Sequence, residues 1–296
     1  MATKFFNKKI LIALFLIFSI ASLASCSGGD SEQSDSLDQS DSVMNLPPTA
    51  DKNDGQTSDK GDHIFIPIEN NGSSSPSLAV TQDELDASLL QITQDLGEEH
   101  IKKYYFICDS AIYGLKSLGM LSDGRDTDRV LTGISSSISL SSGKDALVYL
   151  PKTDSFMAVA DAVLTIAPEY LLVSVGTDEL IKRPEISETD FYNAYRELIA
   201  SIREASPSTV VVCMPILPGS DGDGLNIYKA ETFNKYIHAS AAEFGAYFID
   251  IASAFSNSSG YLRIDCDAGA SCLNTTGLKR LIELLRTYKI KITPEE

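Results

Sequence analysis

Apolar runs alternate with helix-like segments along most of the chain after residue 100. Each strand-like run is a short apolar stretch, whereas each helix-like segment repeats its apolar residues every three or four positions. The predicted strands are residues 104–108, 170–175, 209–214 and 246–250, with a weaker one near Val130. The predicted helices are residues 82–96, 155–166, 189–205, 230–244 and 276–288. This alternation predicts an α/β fold in which a parallel sheet is covered by helices on both faces.

The first 25 residues have the pattern of a secretory signal, with Lys4, Lys8 and Lys9 before an apolar run at 10–20. The following Leu23-Ala24-Ser25-Cys26 resembles the lipobox of bacterial lipoproteins, in which the cysteine carries the lipid. The resemblance implies a signal peptide at 1–25, a membrane anchor at Cys26 and an extracytoplasmic bacterial lipoprotein. A single transmembrane helix is the alternative, although the apolar run is short for one.

Residues 26–80 differ in composition from the rest of the chain. Between residues 27 and 62 nine acidic residues stand against Lys52 and Lys60, among many Ser, Gly, Gln and Asn. Such a segment cannot bury enough apolar surface to order itself, which predicts a flexible tether before a folded domain at 81–296. The formal net charge of −17 argues against nucleic acid as a partner.

Four cysteines follow Cys26 along the chain. An extracytoplasmic location permits disulfides, and Cys266 with Cys272 is the easiest pair to close. Cys213 lies within a strand-like run, which predicts a buried apolar residue. Cys108 ends the first predicted strand.

Ser110 is the most informative single residue, because it stands where the first predicted strand gives way to a helical pattern. Ligands bind at the carboxyl ends of parallel strands, and the free N–H groups of a helix start can hold an oxyanion there. A serine nucleophile also needs a base. His100 precedes the strand and His238 lies mid-helix, so neither is expected near Ser110, and His63 lies on the tether.

Three segments resemble the motifs of the GDSL or SGNH hydrolase family, over about residues 100–288. The Gly-Asp-Ser motif is similar to Cys108-Asp109-Ser110, and Gly-x-Asn-Asp is similar to Gly176-Thr177-Asp178-Glu179. The final Asp-x-x-His motif is similar to Gly269-Ala270-Ser271-Cys272. The resemblance implies a three-layer α/β/α sandwich with a flavodoxin-like parallel sheet of about five strands. It also implies a serine esterase site with Ser110 as candidate nucleophile.

The departures from the family pattern fall on the chemistry. The resemblance places Cys272 at the catalytic histidine, Gly269 at its orienting aspartate and Asp178 at an oxyanion asparagine. The second oxyanion position is Gly133, and an alternative register gives Ser136. Removing triad members costs about a millionfold in turnover, so we expect a catalytically impaired protein.

Each of these features has a structural alternative. Ser110 is also a good helix N-cap, and Asp178 with Glu179 fits either a working carboxylate pair or solvated residues at a strand end. Asp221-Gly222-Asp223-Gly224 hints at calcium, but no glutamate stands at the twelfth position, so we predict a polar loop, no metal and no cofactor. Cys272 fits a disulfide with Cys266, a disulfide with Cys108, or a free thiol.

Three functional hypotheses follow. The first is a lipid-anchored, impaired hydrolase-like domain that binds glycans or acylated sugars, a ligand class implied by the family resemblance alone. The second is an active serine esterase or acetyl hydrolase that uses Ser110 with an atypical base. The third is a solute-binding lipoprotein, which would need two lobes where the sequence predicts one set of alternating elements.

Overall fold

Five short parallel strands form the central sheet of this computed structural model, which describes residues 75–290. The strands of the described region are β1 (Tyr104–Cys108), β2 (Val130–Leu131), β3 (Leu147–Leu150), β4 (Ser155–Ala158), β5 (Tyr170–Ser174), β6 (Val210–Cys213) and β7 (Tyr247–Phe248). The sheet has the order β2-β1-β5-β6-β7, while β3 and β4 pair antiparallel as a separate hairpin. Counted without the hairpin, this is the flavodoxin-like strand order. The predicted fold class is confirmed.

The helices connect these strands in the order expected of an α/β fold. They are α1 (Gln82–Ser88), α2 (Glu98–Lys102), α3 (Gly114–Ser117), α4 (Val159–Ile166), α5 (Thr177–Lys182), α6 (Glu188–Ala205), α7 (Ile227–Glu243), α8 (Ala252–Phe255) and α9 (Thr275–Leu285). The N-cap side chains Ser187, Asn226 and Asn274 accept a backbone N–H in the first turns of α6, α7 and α9. These caps satisfy amide groups that a helix start otherwise leaves unpaired.

The core lies on both faces of the sheet. Successive side chains of a strand point to opposite faces, and in β1 Phe106 and Ile107 are both fully buried. Ile107 packs in the cluster that contains residues of α4, α6 and α7, whereas Phe106 packs with residues of α3 and α9. The sheet is therefore the middle layer of a three-layer sandwich.

Two predicted helices are shorter than their sequence pattern suggested. The segment predicted as helix 155–166 is helical only from Val159, because residues 155–158 form β4 and pair with β3, Tyr149 opposite Phe156. The segment predicted as helix 82–96 ends at Ser88. Leu89 then forms a parallel bridge with Phe248, so the backbone at Leu89 lies along the edge of the sheet and does not continue the helix.

Within residues 75–290 no helix has both the length and the apolar content needed to cross a membrane. The predicted signal peptide, Cys26, His63 and most of the predicted tether lie outside the described residues. The membrane anchor and the domain boundaries remain predictions.

Candidate functional site

The site lies where the carboxyl ends of β1 and β5 meet. Ser110 begins a 3₁₀ turn directly after β1, and Asp178 lies in the first turn of α5, directly after β5. Because β1 and β5 are paired in register, the two loops are adjacent, and the Ser110 hydroxyl donates a hydrogen bond to Asp178 Oδ1. Strand order reverses between these strands, which is where open α/β sheets bind ligands.

Asp109 links the loop after β1 to the loop after β5. Its side chain is fully buried, and its carboxylate accepts hydrogen bonds from the N–H groups of Ala111 (3.2 Å), Gly176 (3.0 Å) and Asp178 (3.2 Å). Burial, and then the negative charge of Asp178, raise the pKa of Asp109 to about 7, against the effect of these three donors. Asp109 is also the N-cap of the turn. The alternative that Ser110 is the N-cap is therefore wrong.

Asp178 and Glu179 are both buried, 5% and 4% exposed, so the interpretation of solvated strand-end residues is wrong. Besides the Ser110 hydroxyl, Asp178 binds Lys182 Nζ through Oδ2 at 3.2 Å. Glu179 accepts from the Leu140 N–H at 3.1 Å and pairs with Arg183 Nη1 at 2.8 Å. The two carboxylates thus have separate partners.

Gly133, the predicted second oxyanion position, begins the loop that follows β2. A Cβ atom there would lie 2.2 Å from the Ser137 carbonyl oxygen and 2.9 Å from that of Leu147, so no larger residue fits without movement. Ser136, the alternative position, has a left-handed backbone with φ 59°. Lys182 Nζ, which binds Asp178, also donates to Ser137 Oγ at 2.5 Å. The lysine therefore ties this loop to the Ser110–Asp178 pair.

Cys272 lies beside Ser110, as the motif resemblance implied. The Leu273 N–H donates to the Ala111 carbonyl oxygen at 2.9 Å, which fixes this segment against the Ser110 turn. Burial raises the pKa of the Cys272 thiol, although a hydrogen bond with Ser110 lowers it in part. The thiol is thus disfavoured as a thiolate nucleophile. Gly269 is exposed, with φ +84° and no atom within 4 Å of where its Cβ would be.

The predicted Cys266–Cys272 disulfide is wrong in this structure. Both residues are free thiols, as is Cys108, so the alternative pairing with Cys108 is also absent from the described residues. The backbone pairing in this turn does not place the two cysteines opposite each other. The Asn274 N–H donates to the Cys266 carbonyl oxygen at 2.8 Å, whereas the Ala268 N–H donates to the Cys272 carbonyl oxygen. Cys213 is fully buried in β6, as predicted.

The two described histidines are bound elsewhere. His100 Nε2 donates to the Tyr288 carbonyl oxygen at 3.0 Å, and its ring packs against Tyr104 at the start of β1. His238 Nε2 donates to the Leu85 carbonyl oxygen at 3.0 Å. Burial lowers the pKa of both imidazoles. Within residues 75–290, then, no imidazole is hydrogen-bonded to Ser110.

A family model described as GDSL-like Lipase/Acylhydrolase matches residues 120–287. The chain belongs to this family. The matched range begins after Ser110, so the assignment of Ser110 rests on its place in the fold. A search of curated proteins finds no match.

Solved structures similar to this GDSL-like protein include one from Streptococcus pneumonia proposed to be a platelet activating factor. It has 15% identity and a TM-score of 0.44, covering 65% of this chain and 91% of that one. A peptidoglycan O-acetylesterase has 13% identity and a TM-score of 0.36, covering 43% and 38%. A variant of an acetyl xylan esterase from Geobacillus stearothermophilus has 14% identity and a TM-score of 0.33, covering 45% and 66%.

Two features of the GDSL-like site were not predicted from the sequence. Lys182 follows Asp178 by one helical turn, and the i, i+4 rule could have identified this ion pair. Asp223, from the segment considered for calcium, accepts the Ser271 hydroxyl and the Ser220 N–H (3.2 Å). It therefore braces the residue before Cys272. No group of three metal-ligating side chains occurs among residues 75–290.

Proposed function

We propose that this protein is a lipid-anchored, extracytoplasmic member of the GDSL-like family that binds an acylated sugar or another glycan without hydrolysing it. The observation that carries the proposal is the hydrogen bond from the Ser110 hydroxyl to Asp178. By the motif resemblance, Asp178 takes the position of an oxyanion donor, and both described imidazoles are bound away from Ser110.

The chemistry argues against hydrolysis in two steps. A carboxylate is a weak base toward a serine hydroxyl. Asp178 also places negative charge where an attacked ester would develop an oxyanion, which repels it. Loss of the triad costs about a millionfold, and loss of one oxyanion donor about a hundredfold or more. Turnover at Ser110 should therefore be close to the uncatalysed rate.

A cavity beside Asp178 supports the binding function. It has a volume of about 490 Å³ and is lined by four serines, charged residues that include Lys182 and Arg183, and the apolar Ile134, Ile138 and Leu147. That volume is within the range of small-molecule sites, and the lining offers many hydrogen-bonding groups to a polyhydroxylated ligand. The leader and Cys26 support the proposed anchoring at a membrane.

The first test is hydrolysis of p-nitrophenyl acetate by the full chain, with Ser110→Ala and His63→Ala as controls. We expect the same slow rate from all three proteins. Turnover that disappears in Ser110→Ala would refute the proposal. If it also disappears in His63→Ala, the missing base is the histidine outside the described residues.

The second test rebuilds the family motif by combining Cys272→His, Gly269→Asp and Asp178→Asn. Position 269 has room for a side chain, and aspartate is among the residues that tolerate a left-handed backbone. We expect Ser110-dependent hydrolysis at least about a hundredfold above the parent, since general acid–base catalysis alone contributes that much. A folded triple variant as inactive as its Ser110→Ala derivative would contradict the assignment of these positions.

A second candidate function is a serine esterase with Asp178 as the base. The same hydrogen bond favours it, because a general base must contact the proton that it removes. If Asp178 is the base, Asp178→Asn alone should abolish ester hydrolysis. If the protein does not hydrolyse esters, the same substitution should leave the slow background rate unchanged. The third hypothesis, a solute-binding lipoprotein, requires two lobes, whereas residues 75–290 contain one five-stranded sheet and one hairpin.

A further inference from the structure

We infer that part of the loop after β2, residues 134–139, is a lid on the cavity beside Asp178, and that Lys182 holds this lid closed. The inference rests on the proposed binding function for its purpose and deepens it, because it names what controls access to the site. Three features of the lid carry the inference: its place between two cavities, the contacts that hold it, and its backbone conformation.

The lid separates two cavities. Residues 137–139 line the cavity of about 490 Å³ that contains Asp178. A second cavity, of about 400 Å³, lies beside the β3–β4 hairpin. Ile134 and Ser135 line both cavities, so the lid is their common wall. Movement of the lid away from α5 would therefore join the two cavities into one cleft.

The chain is fixed on both sides of the lid. Before the lid, the Thr132 carbonyl oxygen accepts the Tyr149 N–H of β3 at 3.0 Å. After the lid, Leu140 is fully buried, and its N–H donates to the buried carboxylate of Glu179 at 3.1 Å. These two anchors define the ends between which the lid can move.

Two side chains hold the lid closed. Ile138 is 2% exposed and packs in the core cluster that contains residues of α4 and α6. Lys182 Nζ, from α5, donates to Ser137 Oγ at 2.5 Å, and this hydrogen bond is the latch. The Lys182 side chain is 59% exposed, so water competes for its ammonium group. The latch can therefore break without unfolding of the domain.

The closed lid is strained. Ser135 and Ser136 have φ angles of 56° and 59°, in the left-handed region that residues with a Cβ atom rarely adopt. Two such residues in a row are unfavourable, and strain of this kind persists only where surrounding contacts hold it. Opening allows both serines to return to negative φ. The backbone strain therefore favours an open lid, while Ile138 and the latch oppose it.

The latch is connected to the candidate site. Lys182 Nζ also pairs with Asp178 Oδ2 at 3.2 Å, and Asp178 accepts the Ser110 hydroxyl. A ligand group that accepts a hydrogen bond from Lys182 competes directly with Ser137. Ligand binding at Asp178 and the position of the lid are thus coupled through one ammonium group.

The first test is hydrogen–deuterium exchange of the full chain, followed by mass spectrometry of the peptides that cover the lid. Lys182→Met removes the donor, Lys182→Arg restores one, and Lys144→Met, at an exposed lysine shortly after the lid, is the matched control. We expect lid amides to exchange about tenfold faster in Lys182→Met, since a hydrogen bond from a charged group contributes at least that factor to closing. Exchange in β1 and β5 should not change, Lys182→Arg should restore slow exchange, and the control should match the parent.

The second test measures opening through a new thiol. Ile138 is buried in the closed lid, so the thiol of Ile138→Cys should react with N-ethylmaleimide only when the lid opens. Mass spectrometry of the lid peptide separates this reaction from labelling of the native cysteines. We expect labelling at position 138 to be about tenfold faster when Lys182→Met is added. The exchange test carries no substitution in the lid, so it decides the question even where Ile138→Cys does not fold.

Four results would overturn the inference. Two come from exchange in Lys182→Met: an unchanged rate in the lid, or faster exchange spread evenly over residues 75–290, which is unfolding of the whole domain. The third is a Lys182→Arg variant that is as open as Lys182→Met, because the hydrogen bond is then not the latch. The fourth is an equal labelling rate at position 138 with and without Lys182→Met.

Failure of this inference can be distinguished from failure of the proposed function. Neither test contains a ligand or an ester, so a negative result in either leaves the proposed function untouched. Failure of the proposed function would instead appear as Ser110-dependent release of p-nitrophenol from p-nitrophenyl acetate.

Discussion

Replacing Asp109 with asparagine should remove a large part of the pH dependence of stability. The Asp109 carboxyl is fully buried at the junction of the β1 and β5 loops, and its pKa is raised to about 7 by burial and by the charge of Asp178. In the unfolded chain the same group has a pKa near 3.8. Between these two values the folded protein retains a proton that the unfolded chain has released.

The sign and size follow from this difference in bound protons. Because the folded state binds more protons between about pH 4 and pH 7, the free energy of unfolding falls as the pH rises through that range. Each pKa unit corresponds to about 1.4 kcal/mol, so a shift of roughly three units makes Asp109 contribute about 4 kcal/mol less at pH 8 than at pH 4. Asparagine does not titrate, so Asp109→Asn should lack this contribution at every pH.

The assay is urea unfolding of the full chain and of Asp109→Asn at intervals from pH 4 to pH 8. The quantity to follow is the wild-type free energy of unfolding minus that of the variant, in which contributions from distant groups cancel. We expect this difference to fall by about 4 kcal/mol as the pH rises. A difference that stays level would mean that Asp109 is ionised in the folded protein throughout, held so by its three N–H donors, and would refute the reasoning.

Three further predictions concern other positions. Asp178→Asn should lower the pKa of Asp109, because it removes the neighbouring charge; the same urea series should then show a shallower fall, and an unchanged one would contradict the coupling. Gly133→Ala should cost about 1–3 kcal/mol by overpacking against the Ser137 carbonyl, seen as a lower thermal midpoint; an unchanged midpoint would mean that the loop moves aside freely. Cys26→Ala should abolish both labelling by a clickable fatty acid and recovery in the membrane fraction, and a labelled variant would rule out the proposed anchor.

The sheet was predictable because its central strands carry a strong signal. The runs at 104–108, 170–175 and 209–214 are almost wholly apolar, with only Ser174 and Thr209 polar, as expected of strands buried on both faces. The strands β1, β5 and β6 match these runs within one residue at either end. The hairpin was missed because Phe156, Val159 and Val163 have helical spacing, and a four-residue strand gives no competing pattern. The antiparallel pairing of β4 with β3 is what makes this segment a strand, and the sequence pattern does not show that pairing.

The sequence was enough to predict which residues follow the strand ends at the site, but not which side chains contact each other there. Ser110 and Asp178 could each be placed after a strand, and parallel pairing brings them together. Their burial, the bridge that Lys182 makes to Ser137 and the support that Asp223 gives to Ser271 depend on loop conformations. The wrong disulfide arose in the same way, because closeness in sequence does not fix which residues lie opposite each other in a turn.

The parallel sheet also has a consequence for how this chain folds. Tyr104 pairs with Tyr170, and Tyr170 with Val210, so the centre of the sheet joins segments far apart in sequence. To form such a contact, the chain must first lose the conformational entropy of closing a long loop, and only then does the contact contribute favourable free energy. This order slows folding. A polypeptide that collapses late stays extended for longer after synthesis. Such a delay suits the export that we propose for this chain, because an exported chain has to stay unfolded until it has crossed the membrane.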